Sequence, residues 1–222
     1  MKRIVWVCVT AALCALPMAR AQSCDATKVL AQMDVASAKF QSTQADFKWD
    51  SLTAVVDDHS IQSGTIYFER RGATTAMAAY INQPAEKTVF YTGGTLTLLQ
   101  PDLKQETLFS ANSQYESFLT LGFGGSGKDL QSNWTISCQG MESIDGTQTA
   151  KLDLKPKQQS VANMFSHITV WIDPTRSLGL KQIFYQPSGD NRTATYTGIK
   201  YNAKISADIF KPKDKGFNII RK

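Results

Sequence analysis

Apolar and polar residues alternate along most of this chain, and residues 64–71 set the pattern. Side chains on a strand point alternately to its two sides. Gly64, Ile66, Phe68 and Arg70 therefore share one face, and Thr65, Tyr67, Glu69 and Arg71 the other. The first face is apolar and ends in an arginine. Such a charge either reaches water from a strand edge or is aimed into an apolar hollow.

The same period of two recurs with Phe47 and Trp49 in residues 45–56, Met77 and Ile81 in 76–81, and Leu96 and Leu98 in 95–99. Further β-rich runs fill 61–71, 89–92, 104–109, 134–139, 148–154, 168–172, 180–186 and 192–205. Turn signals such as Gly93-Gly94, Asp145-Gly146 and Asp173-Pro174 separate them. About eleven strands at this spacing predict a mainly β fold, an antiparallel sandwich or barrel.

Helical spacing is confined to short stretches. Val29, Leu30, Met33 and Phe40 predict a packing helix over residues 25–42. Tyr115, Phe118, Leu119 and Leu121 predict one short helix, residues 128–130 part of another, and residues 161–164 a third. The tail beyond Pro212 is basic and reads as loose.

The N-terminus changes the accounting. Lys2 and Arg3, an apolar run over residues 4–18 and Ala19-Arg20-Ala21 predict a secretory signal peptide over residues 1–21. Residues 22–222 then form a single domain. Loss of Lys2, Arg3 and Arg20 takes the formal charge from +5 to +2. A nearly neutral domain is a poor match to nucleic acid, which needs concentrated positive charge. Cys8 and Cys14 also leave, so Cys24 and Cys138 remain. In an oxidising compartment they could form a disulfide or stay as thiols. Cys24 could alternatively carry a lipid anchor, although the aliphatic residue expected three positions before it is Ala21.

Candidate chemistry is sparse. Gly122-Phe123-Gly124-Gly125-Ser126-Gly127-Lys128 approaches a phosphate loop, but Asp129 stands where the magnesium-binding Ser or Thr belongs. The stretch reads as a flexible link between short helices, or as a hinge. His59 and His167 have no nucleophile at a recognisable spacing, and a hydrolase would need Ser126 beside His167. No catalytic, metal or cofactor site emerges, so the sequence points to a binding protein rather than an enzyme. Its apolar faces form either a filled barrel or a cavity for an apolar ligand.

The ordered motifs resemble the periplasmic lipoprotein carrier family, LolA. They are Ala45-Asp46-Phe47, Gly64-x-Ile66-x-Phe68-x-Arg70, Gln83-Pro84, Gly93-Gly94-Thr95-Leu96, Phe118-Leu119, Leu152-x-Leu154-x-Pro156-Lys157, Asp190-x-Arg192-x-x-x-Tyr196 and Asp208-x-Phe210-x-Pro212. The resemblance implies an incomplete antiparallel barrel covered by short helices and enclosing a hydrophobic cavity. It implies that Phe47, Trp49, Ile66, Phe68, Met77, Ile81, Leu96 and Leu98 line the cavity, and that Phe118, Leu119 and Leu121 belong to a lid. Arg70 matches the family's latch arginine, which bonds the covering helices when the cavity is empty. A monomeric periplasmic carrier would follow, taking lipoprotein acyl chains from an inner-membrane ABC transporter to an outer-membrane receptor. A lipid-binding sensor or membrane-anchored receptor is the alternative.

Overall fold

The computed structural model describes residues 24–110 and 118–222. The expected signal peptide, and Tyr115 of the short helix expected before Leu121, lie outside the described residues. Among the described residues twelve strands form one open, curled sheet, one more than the alternation predicts. They are β1 (Ser42–Thr53), β2 (Asp58–Arg71), β3 (Thr74–Gln83), β4 (Lys87–Thr92), β5 (Thr95–Gln100) and β6 (Gln105–Ser110), then β7 (Trp134–Ile144), β8 (Thr147–Pro156), β9 (His167–Asp173), β10 (Leu178–Tyr185), β11 (Asn191–Tyr201) and β12 (Asn218–Arg221). The order across the sheet is β12-β6-β5-β4-β3-β2-β1-β11-β10-β9-β8-β7. Two antiparallel meanders, β1–β6 and β7–β11, are thus joined where β1 pairs with β11. β6 and β7 lie near opposite ends of the strand order, and Phe118, Leu119, Leu121, Phe123 and Leu130 from between them pack into the cores against the sheet.

Among the described residues three short helices are delimited: α1 (Ala26–Ser37), α2 (Gly127–Asn133) and α3 (Gln159–Ala162). Asp25 caps α1 by accepting from the N–H groups of Thr27 and Lys28. Its buried stripe is Val29, Leu30, Met33, Ala36 and Ser37. The helix ends five residues before the expected end, because Gln41 and Ser42 are bound by the sheet. Arg70 N–H donates to Gln41 O at 2.8 Å, and Asn202 Oδ1 accepts from the Gln41 N–H at 2.8 Å. Long-range backbone bonding here overrides the local helical pattern.

The tail is also ordered, contrary to the sequence expectation. β12 pairs in parallel with β6, Asn218 opposite Gln105 through Arg221 opposite Leu108. Phe217 of the tail, with Phe210 just before it, covers an apolar patch of Ala76, Ala78, Phe90 and Leu99 on the outer face. Both faces of the β3–β5 region are therefore buried.

Cys24 is disulfide-bonded to Cys138 on β7, across 114 residues of sequence. A thiol engaged in this way cannot also carry a thioether-linked lipid.

Within the sheet, Gly64 marks the closest backbone approach. A Cβ on it would lie 1.8 Å from Tyr80 O, at the bulge where the β2–β3 register shifts. Gly64→Ala is expected to lower stability by about 1–3 kcal/mol, read from urea denaturation. An unchanged midpoint would show that β2 and β3 can part without cost.

Candidate functional site

Arg70 closes the inner face of β2 after Ile66 and Phe68, both essentially fully buried. Its Nη2 donates to Gly124 O at 2.6 Å and to Ser37 Oγ at 3.3 Å. Ser37 Oγ in turn donates to the same carbonyl at 2.7 Å. The guanidinium lies 5.7 Å from the centre of the Phe40 ring. No carboxylate pairs with it among the described residues, and its Nε is buried without a partner. One side chain thus ties together the sheet, the end of α1 and the connection from β6 to β7. The bond to Gly124 is charge-assisted and part-buried, which places it among the stronger hydrogen bonds.

The glycine-rich stretch is not a loose link. Gly124 N–H donates to Ser177 O at 3.0 Å, and Gly179 N–H donates to Gly122 O at 2.6 Å. Ser177 Oγ donates to Gly125 O, and Gln182 Nε2 to Leu121 O, each at 2.6 Å. These bonds lay residues 121–125 against the start of β10. Phe123, 1 % exposed, is driven into the interior. It stacks on Phe68 at 3.8 Å between centroids and meets Tyr196 edge-on at 4.9 Å. Gly124 adopts φ +76°, and a Cβ on it would lie 2.2 Å from the Phe40 ring. Only glycine meets both demands.

The remaining expected wall residues gather around this point. Phe47, Ile66, Phe68, Met77 and Ile81 are buried in one cluster with Phe123 and Tyr196, and Trp49 and Leu96 pack on its margin. Leu98, half-buried, stands outside that cluster. The lid residues divide between two cores. Leu119 packs on the Phe47–Phe68 cluster. Leu121 and Phe118 belong with Leu30, Met33 and Trp134. Beside the clasp opens a recess of about 320 Å³, lined by Met33, Arg70, Leu121, Phe123, Leu130 and Trp134 among others. The apolar interior is thus occupied by the protein's own Phe123, and the recess lies where the cover meets the sheet.

The hydrolase and phosphate-loop arrangements do not assemble. Ser126 caps α2 in a reciprocal pair with Asp129. His167 instead contacts Ser166 Oγ at 3.2 Å and stacks on Tyr185. His59 Nδ1 lies 2.7 Å from Asp50 Oδ1, a carboxylate that raises the imidazole pKa at an exposed site. Among the described residues no group of three or more His, Cys, Asp or Glu could hold a metal ion. None of the described helices is long and apolar enough to cross a membrane.

Sequence reasoning passed over Phe123, Ser37 and Gly124 as parts of the site. The signal available was a bulky aromatic between two glycines, which have the backbone freedom to press it inward.

The family model described as outer membrane lipoprotein carrier protein LolA matches residues 38–213. No curated protein sequence matches the chain. An uncharacterised conserved protein from Thermus thermophilus has the same fold, with 11 % identity, a TM-score of 0.56, and coverage of 89 % of this chain and 99 % of that one. A crystal structure of MucB gives 16 % identity, a TM-score of 0.55, and coverage of 86 % of this chain and 63 % of MucB. MucB of Pseudomonas aeruginosa in complex with MucA gives 15 %, 0.52, 85 % and 61 %. The chain spans about three fifths of MucB.

Proposed function

The chain belongs to the LolA family of outer membrane lipoprotein carrier proteins, and from that membership we propose that it is a periplasmic chaperone carrying lipoproteins from the inner to the outer membrane. It holds their acyl chains in the apolar interior between sheet and cover. An inner-membrane lipoprotein-releasing ABC transporter loads it, and an outer-membrane receptor unloads it.

The observation that supports this reading best is the clasp of Arg70 on Gly124 O over a plug made by Phe123. No bond is made or broken in the proposed cycle. Cargo gains roughly 0.8 kcal/mol for each methylene withdrawn from water. Entry requires Phe123 and its segment to move aside, which breaks the Arg70 bond. The closed form competes with cargo, and apparent affinity falls by the fraction of protein that is closed. Arg70 therefore keeps retention weak enough for release. A membrane-anchored receptor role would need a free Cys24 thiol, and the bond to Cys138 speaks against it.

Arg70→Leu tests the proposal. Loss of a charge-assisted bond worth about 1.5–3 kcal/mol should slow lipoprotein release by about tenfold or more. Transfer from loaded, purified protein to receptor-bearing membranes measures it. Release at the wild-type rate would remove the latch role from Arg70.

A further inference from the structure

A second guanidinium faces the same interior. Arg192 is the second residue of β11, and alternation puts it on one face with Ala194 and Tyr196, both members of the interior cluster. It stands opposite Ser51 of β1 and Phe184 of β10. Gln41, just before β1, whose carbonyl accepts from the Arg70 N–H, and Ser51 of β1 are ten residues apart in sequence. Arg70 and Arg192 therefore sit toward opposite ends of one apolar wall about 33 Å long in strand terms.

The surroundings of Arg192 are aromatic rather than acidic. Its guanidinium carbon lies 5.3 Å from the centre of the Trp49 ring and 4.9 Å from that of Phe184. Both distances are within cation–π range. Among the described residues its side chain has neither an ion pair nor a hydrogen bond, and its Nε is buried with no partner. The nearest acid in sequence, Asp190, uses its carboxylate on Ala54 N–H and Ser188 Oγ. Burial pushes the phenol of neighbouring Tyr196 up to about 12, so that ring stays neutral. Burial also lowers the Arg192 pKa from its ordinary value.

Arg192 is half-buried, and its buried Nε has no partner. Leaving part of a cation out of water without a counter-charge is costly, and contact with the two rings offsets only part of the cost. Neither ring offers a lone-pair acceptor, so the N–H groups of the guanidinium remain without a hydrogen bond, and they form the fork that fits a carboxylate or phosphate.

We propose that Arg192 binds the oxyanion of a single-chain amphiphile, a carboxylate or phosphate, whose acyl chain runs from Trp49 along Phe47 and Ala194. The assignment rests on the reading of the interior as an acyl-chain site and adds a preference for an anionic head. It gives the interior a polarity: head at Arg192, tail toward Phe123 and Arg70.

Displacement of a neutral fluorescent acyl ester from the purified protein tests it, using palmitate, hexadecyl phosphate and methyl palmitate below their aggregation concentrations. Palmitate or hexadecyl phosphate, or both, should displace at a concentration at least about tenfold lower than methyl palmitate. Whichever oxyanion is favoured names the source of the head group. Arg192→Met should bring the three to one potency, and Arg192→Lys should keep part of the preference. Equal potency on the wild-type protein, or a preference that survives Arg192→Met, overturns the role of Arg192 while leaving acyl-chain binding intact. Failure of the neutral ester and methyl palmitate to bind would instead overturn the acyl-chain reading and the head-group site with it.

Discussion

Cys138→Ser should lower the stability of the folded chain by about 4–5 kcal/mol. The bond from Cys24 spans 114 residues, and closing a loop of that order removes roughly 4.7 kcal/mol of chain entropy from the unfolded state. The folded state gains a local constraint as well. Cys24 immediately precedes the Asp25 cap of α1. Cys138 packs beside Leu30, Met33 and Trp134 in the core beneath that helix. The bond therefore fixes the first turn of α1 against β7. Ser37, at the other end of α1, supports the Arg70 clasp, so a helix anchored at its start holds a latch partner at its finish. Urea denaturation of oxidised protein, reduced protein and Cys138→Ser measures the effect. The last two should coincide at a lower midpoint. If all three coincide, α1 is held by burial of Val29, Leu30 and Met33 alone.

Strand alternation made most of this fold legible. Every predicted run from residue 45 to residue 205 overlaps a strand, and the inner faces of β1, β2 and β3 carry the residues the period of two assigns to them. Such patterning is local and survives folding because one face must be buried. The misses share the opposite character. β12 depends on parallel pairing with a strand more than a hundred residues away, and Ile219 and Ile220 lie in a short basic tail with no alternation long enough to register. Phe40 fits the α1 pattern, yet its ring packs against Gly124 beyond the helix end. The cysteine pair allowed three outcomes, and only the folded positions of Cys24 and Cys138 select one.

At the site, the sequence separated residue from role. Alternation alone placed Arg70 on an apolar face; its partners come from α1 and the β6–β7 connection, 33 and 54 residues away. Glycine content was read as freedom of motion. In the fold, the same glycines permit close packing of a bonded segment, so it is not a loose link, and any movement of it must break its bonds to the start of β10.

Phe123→Ala should separate a plug from an ordinary core residue. Deleting a buried phenylalanine costs about 3–5 kcal/mol where the surroundings cannot collapse. Phe123 is 1 % exposed, with Phe68 on its face and Tyr196 at its edge, so a fall in melting temperature is expected on either view. The responses to ligand differ. A plug occupies the space that cargo needs, and removing it removes a competitor. The variant should then bind a fluorescent acyl probe more tightly than wild type, by about tenfold or more. Saturating probe should restore much of the lost melting temperature, since a ligand specific for the folded state stabilises it in proportion to its occupancy. An apolar void lined by Phe68, Ile66 and Tyr196 is the kind of space that accepts an apolar guest. Thermal melts with and without probe, together with a probe titration, decide the matter. If the variant melts lower and binds the probe no better than wild type, Phe123 is structural core, and the cargo path must lie elsewhere than beneath the Arg70 clasp.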